Sequence, residues 1–206
     1  NDLRNRNAKM VAAEEGENLV AAKKLYSTQK VIINESLDTL QTDLFEAALN
    51  NSSDTSPCIV YIPAETTYVV KTAKAYKKSG IEAGYKVGVY VPENVILVAE
   101  DNTVIKAGTS MTRLVMVSGS VYGGKFDGAS KASYPLSFKN GTTFEKKKSG
   151  DKQVDGNIEY TDVTGATQCG IKAIGCKNIR ICFNKVHDCK KANACGISLM
   201  YGSLAT

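Results

Sequence analysis

The strongest constraint on this chain is a block of sequence that occurs twice near its C-terminal end. Asp162-Val163-Thr164-Gly165-Ala166-Thr167-Gln168-Cys169-Gly170-Ile171 returns as Asp188-Cys189-Lys190-Lys191-Ala192-Asn193-Ala194-Cys195-Gly196-Ile197, ungapped and 26 residues on. A second echo has another spacing: Asn157-Ile158-Glu159-Tyr160 returns as Asn178-Ile179-Arg180-Ile181 after 21 residues. Asn94-Val95-Ile96-Leu97 has the same form earlier in the chain. Two spacings on one plan mean repeat units whose turns differ in length, and such repetition marks a solenoid.

The content of a unit selects which solenoid. Ile179-Arg180-Ile181 alternates apolar and polar as a half-buried strand does. Val186 follows Ile181 by five residues across a Phe183-Asn184 corner, and Phe126 follows Val121 by five across Gly123-Gly124. Gly170-Ile171-Lys172-Ala173 and Gly196-Ile197-Ser198-Leu199 add one short strand each. No unit has room for a helix. Short strands stacked at this period, each ~4.8 Å above the last, predict an all-β parallel β-helix.

From about Glu35 onward the chain resembles the right-handed parallel β-helix (pectin-lyase-like) superfamily. The segments that carry the resemblance are Cys58 to Ala64, Tyr68 to Val70, Val91 to Val98, Val104 to Ala107 and Val121 to Gly128, entered through an amphipathic helix. The resemblance implies action on, or binding to, a polysaccharide, with acidic polymers included, by a secreted or cell-surface protein. It does not imply one reaction, because that scaffold serves lyases, hydrolases, epimerases and adhesins. The superfamily's paired Asp-Asp, Gly-His-Gly and Arg-x-Pro-x-x-Arg signatures are absent here, so no catalytic residue carries over.

The chain divides into an extension over 1–34, a capping helix and lead-in over 35–57, and β-helix coils over 58–206. In the extension, Glu17 to Tyr26 reads as a short helix and Val31-Ile32-Ile33 as a strand candidate; acids and bases are mixed around the helix, which favours packing on the solenoid's open end over binding a membrane surface. Leu37, Leu40, Leu44, Ala47 and Ala48 recur at helical steps before Asn50 to Ser53 and Pro57 end the run. That helix, Ser36 to Leu49, is expected to cover the first coil's strand edges. A polar excursion is expected at Lys71 to Lys86, and a loss of pattern from Ala129 to Asp155 around Lys146-Lys147-Lys148. The last coil begins without a visible cap, as expected of the N-terminal piece of a longer β-helix.

Composition closes off other classes. With 206 residues and a formal charge of +5, the charge is too weak and scattered for nucleic acid. No apolar run is long enough to insert into a membrane.

The side chains that carry chemistry are few. Asp162 and Asp188 share a step of the repeat, which places them on adjacent coils about 5 Å apart. Carboxylates that close raise one another's pKa or share a cation, and oxygen ligands at that spacing suit Ca²⁺. His187, the single histidine, precedes Asp188, and these three are the candidate catalytic residues. Arg180, Lys185 and the Lys146–Lys148 run are candidate contacts to an acidic sugar chain. The plain alternatives are turn aspartates that cap local N–H groups and a solvated loop tip. Cys169 and Cys195 align on successive coils; a buried ladder of thiols is favoured, although strand spacing leaves a cross-coil disulfide open. Asn184 is read as a structural corner residue, its amide stacking on amides of neighbouring coils to satisfy buried polar groups along a ladder. Two functions remain: a polysaccharide-active enzyme (lyase, hydrolase or epimerase), and a non-catalytic adhesion or spacer module with a glycan-binding face.

Overall fold

In a computed structural model, residues 58–62, 64–65, 67–76, 85–93, 95–139 and 156–200 are described. The extension, the capping helix Ser36–Leu49 and the Lys146–Lys148 run lie outside them. Among the described residues there are fourteen strands and no helix. They are β1 (Cys58–Ile62), β2 (Thr67–Val70), β3 (Lys74–Tyr76), β4 (Tyr85–Val91), β5 (Val95–Ala107), β6 (Met111–Val117) and β7 (Ser120–Asp127). After them come β8 (Ala132–Phe138), β9 (Gly156–Glu159), β10 (Asp162–Thr164), β11 (Cys169–Ile174), β12 (Ile179–Cys182), β13 (Lys185–Val186) and β14 (Cys195–Met200).

The strands form two sheets, and the chain passes from one to the other and back. The first holds β1, β2, β5, β7, β9, β10, β12 and β13; the second runs β14-β11-β8-β6-β4-β3. Every pairing is parallel except β3 with β4. The expected polar excursion before Lys86 therefore returns antiparallel along β4, Ala75 opposite Lys86.

Inward side chains stack in columns. Val60, Leu97, Val121, Ile158 and Ile181 form one column of register partners. Tyr68, Ile105, Phe126, Val163 and Val186 form a second. On the facing sheet Val89, Val115, Leu136, Ile171 and Ile197 form a third. Both sheets contribute to one buried cluster. Branched and aromatic side chains suit this pleated, two-walled interior.

From β7 onward the five-residue interval of the sequence is the step between the first two columns, whereas from Val60 to Tyr68 and from Leu97 to Ile105 that step is eight residues. Between them lies a corner at which Gly123, Tyr160 and Phe183 all have φ between 58° and 74°. Glycine takes that conformation without strain. The two non-glycine residues stack their rings outside it, centroids 4.8 Å apart and planes nearly parallel. One step on, Asn184 closes the corner. Its Oδ1 accepts from Thr161 N at 2.9 Å and Thr161 Oγ1 at 2.8 Å, and its Nδ2 donates to Ile158 O at 2.8 Å.

Two expectations need correction. The pattern does not fail at Ala129: β8 continues the second sheet between β6 and β11, with Leu136 and Phe138 fully buried. Pro135 hides this strand from a sequence reading, because proline cannot donate to a ladder. The 21-residue echo is also not a pairing. Ile158 sits beside Ile181 and Asn157 beside Arg180, a step of 23.

Candidate functional site

Along β5, β7, β10 and β13 the charged residues flanking the inward column form two rows. Lys125, Asp162 and Lys185 are register partners in the first row. Lys106 and Asp127 are partners in the second, with Thr164 beyond them. Lys106 Nζ lies 3.5 Å from Asp127 Oδ2, and Lys185 Nζ lies 3.9 Å from Asp162 Oδ2.

This register separates Asp162 from Asp188. The first sheet advances 23 residues between β10 and β13, so Asp162 stands beside Lys185. The second sheet advances 26 between β11 and β14, so Cys169 stands beside Cys195. The repeat of 26 belongs to the second sheet alone. The turn after β13 takes up the three-residue difference, and Asp188 opens that turn at φ 54°. Asp162 and Asp188 are therefore not stacked partners.

His187 lies between them. Its Nε2 is 2.7 Å from Asp162 Oδ1 and its Nδ1 is 2.5 Å from Asp188 Oδ2. Ionised carboxylates only accept, so an imidazole that faces one at each nitrogen fits best with both nitrogens protonated. The bond to Asp188, then that to Asp162, holds the His187 pKa above its ordinary value, against a smaller opposing effect of burial. The same bond to His187 holds the Asp188 carboxyl below its ordinary range. Thr164 Oγ1 adds a long donor contact to Asp188 at 3.4 Å.

Beside this clamp the surface dips into a depression of about 530 Å³, lined by Lys106, Lys125, Lys190, Asp127, Asp188 and the Thr164–Gly165 corner among others. Within the clamp and depression together, four lysines face three aspartates. A face of this kind can neutralise carboxylates and accept hydrogen bonds from hydroxyls. The proton on His187 lies one bond from Asp188, which borders the depression.

Of the residues singled out from sequence, Asp162, Lys185, His187 and Asp188 come together here. Arg180 does not. It lies in β12, before the corner, with Nε 3.4 Å from Oε1 of the buried Glu159. Lys106, Lys125, Asp127 and Lys190 escaped the sequence reading. Each of the first three adjoins an inward residue, Ile105 or Phe126, so extending the column register would have found them.

The imidazole ring stands between the two carboxylates and engages one oxygen of each. Comparison with protein-family models, with curated proteins and with solved structures gives no match.

Proposed function

We propose that this protein is a right-handed parallel β-helix of the pectin-lyase-like kind that binds an acidic polysaccharide along the outer face of its first sheet. The chain's repeated passage between two parallel sheets, with side-chain columns up to five deep, supports the architecture. One observation carries the function: the ionic rows around the depression, with four lysines spaced along the stacking direction. Levels repeat every ~4.8 Å, close to the length of one sugar ring, so an extended polyuronate can meet Lys106 at the level of β5, Lys125 at β7 and Lys185 at β13, with Asp162 of β10 between the last two. The aspartates between the lysines keep the face from being generically basic and offer acceptors for sugar hydroxyls.

The test is affinity electrophoresis or calorimetry with polygalacturonate, its methyl-esterified form and a neutral glucan. Binding is expected for the first only, and it should weaken with salt as exposed charge interactions do. Lys106→Glu with Lys125→Glu should weaken it at least about tenfold. Equal binding to the neutral glucan, or none to polygalacturonate, overturns the reading and leaves a rigid spacer.

One observation favours a second reading, in which the bound polymer is also cleaved. Asp188 borders the depression and is backed by an imidazole that Asp162 holds from its far side. General acid–base catalysis needs such a positioned pair. Release of reducing ends or of unsaturated uronate from polygalacturonate, lost in Asp188→Asn, is its expected sign. Binding without product assigns the face to adhesion.

A further inference from the structure

Cys169 opens β11 and Cys195 opens β14, and the two are register partners in a parallel pair. Parallel neighbours ordinarily project side by side, and a disulfide between them needs their side chains to converge. Here they do: the Cys195 thiol points at Cys169 Sγ, 2.7 Å away. That is well inside the ordinary contact of two unbonded sulfurs. A strand spacing of ~4.8 Å also lies within the Cα range that disulfides span, ~4.4–6.8 Å. A glycine follows each cysteine, so neither neighbour's side chain crowds the bond.

We propose that Cys169 and Cys195 form a dithiol site that small-molecule disulfides oxidise to a cross-strand disulfide, tying β14 to β11. Cys195 is the point of entry, because it is partly exposed whereas Cys169 is 8% exposed. Its thiolate attacks a disulfide of the glutathione class, which forms a mixed disulfide and releases one thiolate that takes up a proton. Cys169 then gives up its proton and attacks the Cys195 sulfur, releasing the second small thiol. The protein loses two electrons and two protons, and one small disulfide becomes two thiols. Burial, followed by the contact with Cys169, pushes the Cys195 thiol up to about 11. The first step is therefore slow at neutral pH and accelerates in alkali.

Cys189 is the competing partner. It is near enough to both sulfurs to feel their charge, but its own thiol turns toward His187 O at 3.9 Å. The bond's consequence is mechanical. Among the described residues β14 pairs on one side only, with β11, and carries Ile197 and Leu199, each 47% exposed. It is the strand that gains most from a covalent tie.

The experiment treats native protein with oxidised glutathione at mildly alkaline pH, quenches in acid, alkylates and maps peptides. The expected product links Cys169 to Cys195, appears in wild type and Cys189→Ser, and reverts with reductant. Closing that loop should raise the melting temperature by roughly 5 °C or more, and Cys195→Ser should abolish the rise. A link from either cysteine to Cys189, complete alkylation of both after oxidation, or an unchanged melting temperature in the linked protein overturns the proposal. The wild-type map decides the pairing even if Cys195→Ser fails to fold.

Discussion

His187 shows how one side chain converts a turn into a titrating clamp. Its imidazolium is held by two carboxylates, so its folded pKa lies above the ordinary 6.5. Stability from this group is fully present below 6.5 and is lost as pH rises through the raised folded value. Asp188 works in the opposite direction. Its folded pKa lies below the ordinary 3.8, so its contribution is present above 3.8 and lost as pH falls through the lower value. The clamp is therefore strongest between 3.8 and 6.5. The His187 and Asp188 side chains are 31% and 62% exposed, so solvent screens them and the effect is small. Between about pH 6 and about pH 9, wild type should lose roughly 2–4 °C more in melting temperature than His187→Gln. Equal losses in the two proteins would show that the imidazolium contributes nothing to the fold.

At the scale of the element, the strands are short and the corners between them set their register. Gly119, before β7, is a tight corner: an added Cβ would lie 2.0 Å from Val95 O and 2.4 Å from Pro92 O. Both are backbone atoms and cannot swing aside, so Gly119→Ala should destabilise by about 1–3 kcal/mol or more. Gly196→Ala is the control. Its Cβ would meet Val186 Cγ1 at an ordinary 3.8 Å, and it should unfold in urea within about 0.5 kcal/mol of wild type. A similar loss in both would show that the close approach at Gly119 is not what costs stability, because alanine for glycine by itself narrows the unfolded ensemble and favours the fold. The corner at Phe183-Asn184 was legible from sequence because Val121–Phe126 repeats its interval. β8 was not, because Pro135 interrupts the alternation while its neighbours Leu136 and Phe138 are buried by β6 and β11.

Over the whole molecule, the cost of a core change depends on level. Ile171 and Ile197 occupy the same step of one column, yet the first is fully buried and the second is 47% exposed. The difference is what lies on either side: β11 is flanked by β8 and β14, whereas among the described residues β14 pairs with β11 alone. Ile171→Ala should cost about 2–5 kcal/mol as a buried truncation. The same change at Ile197 should cost under about 1 kcal/mol, because little area leaves water there. Denaturant midpoints for the two variants decide this, and equal losses would mean that β14 is covered in solution.

What sequence determined alone is the β class, the parallel repetition and the five-residue interval between inward columns from β7 onward. These rest on local alternation and on which residues tolerate a corner. It also drew attention to Asp162, His187 and Asp188. Only the tertiary structure decided how those three meet. The two sheets advance by 23 and by 26 residues over the same pair of levels, and a sequence alignment reports a single offset. The conspicuous Cys-Gly-Ile match imposed the second sheet's offset on the first and set aspartate beside aspartate. Strand pairing is fixed sheet by sheet, by which apolar residues can share a column, and the turn between sheets absorbs the remainder. In the first sheet Val163 stacks on Val186, so a lysine falls beside Asp162 and the histidine enters between the acids.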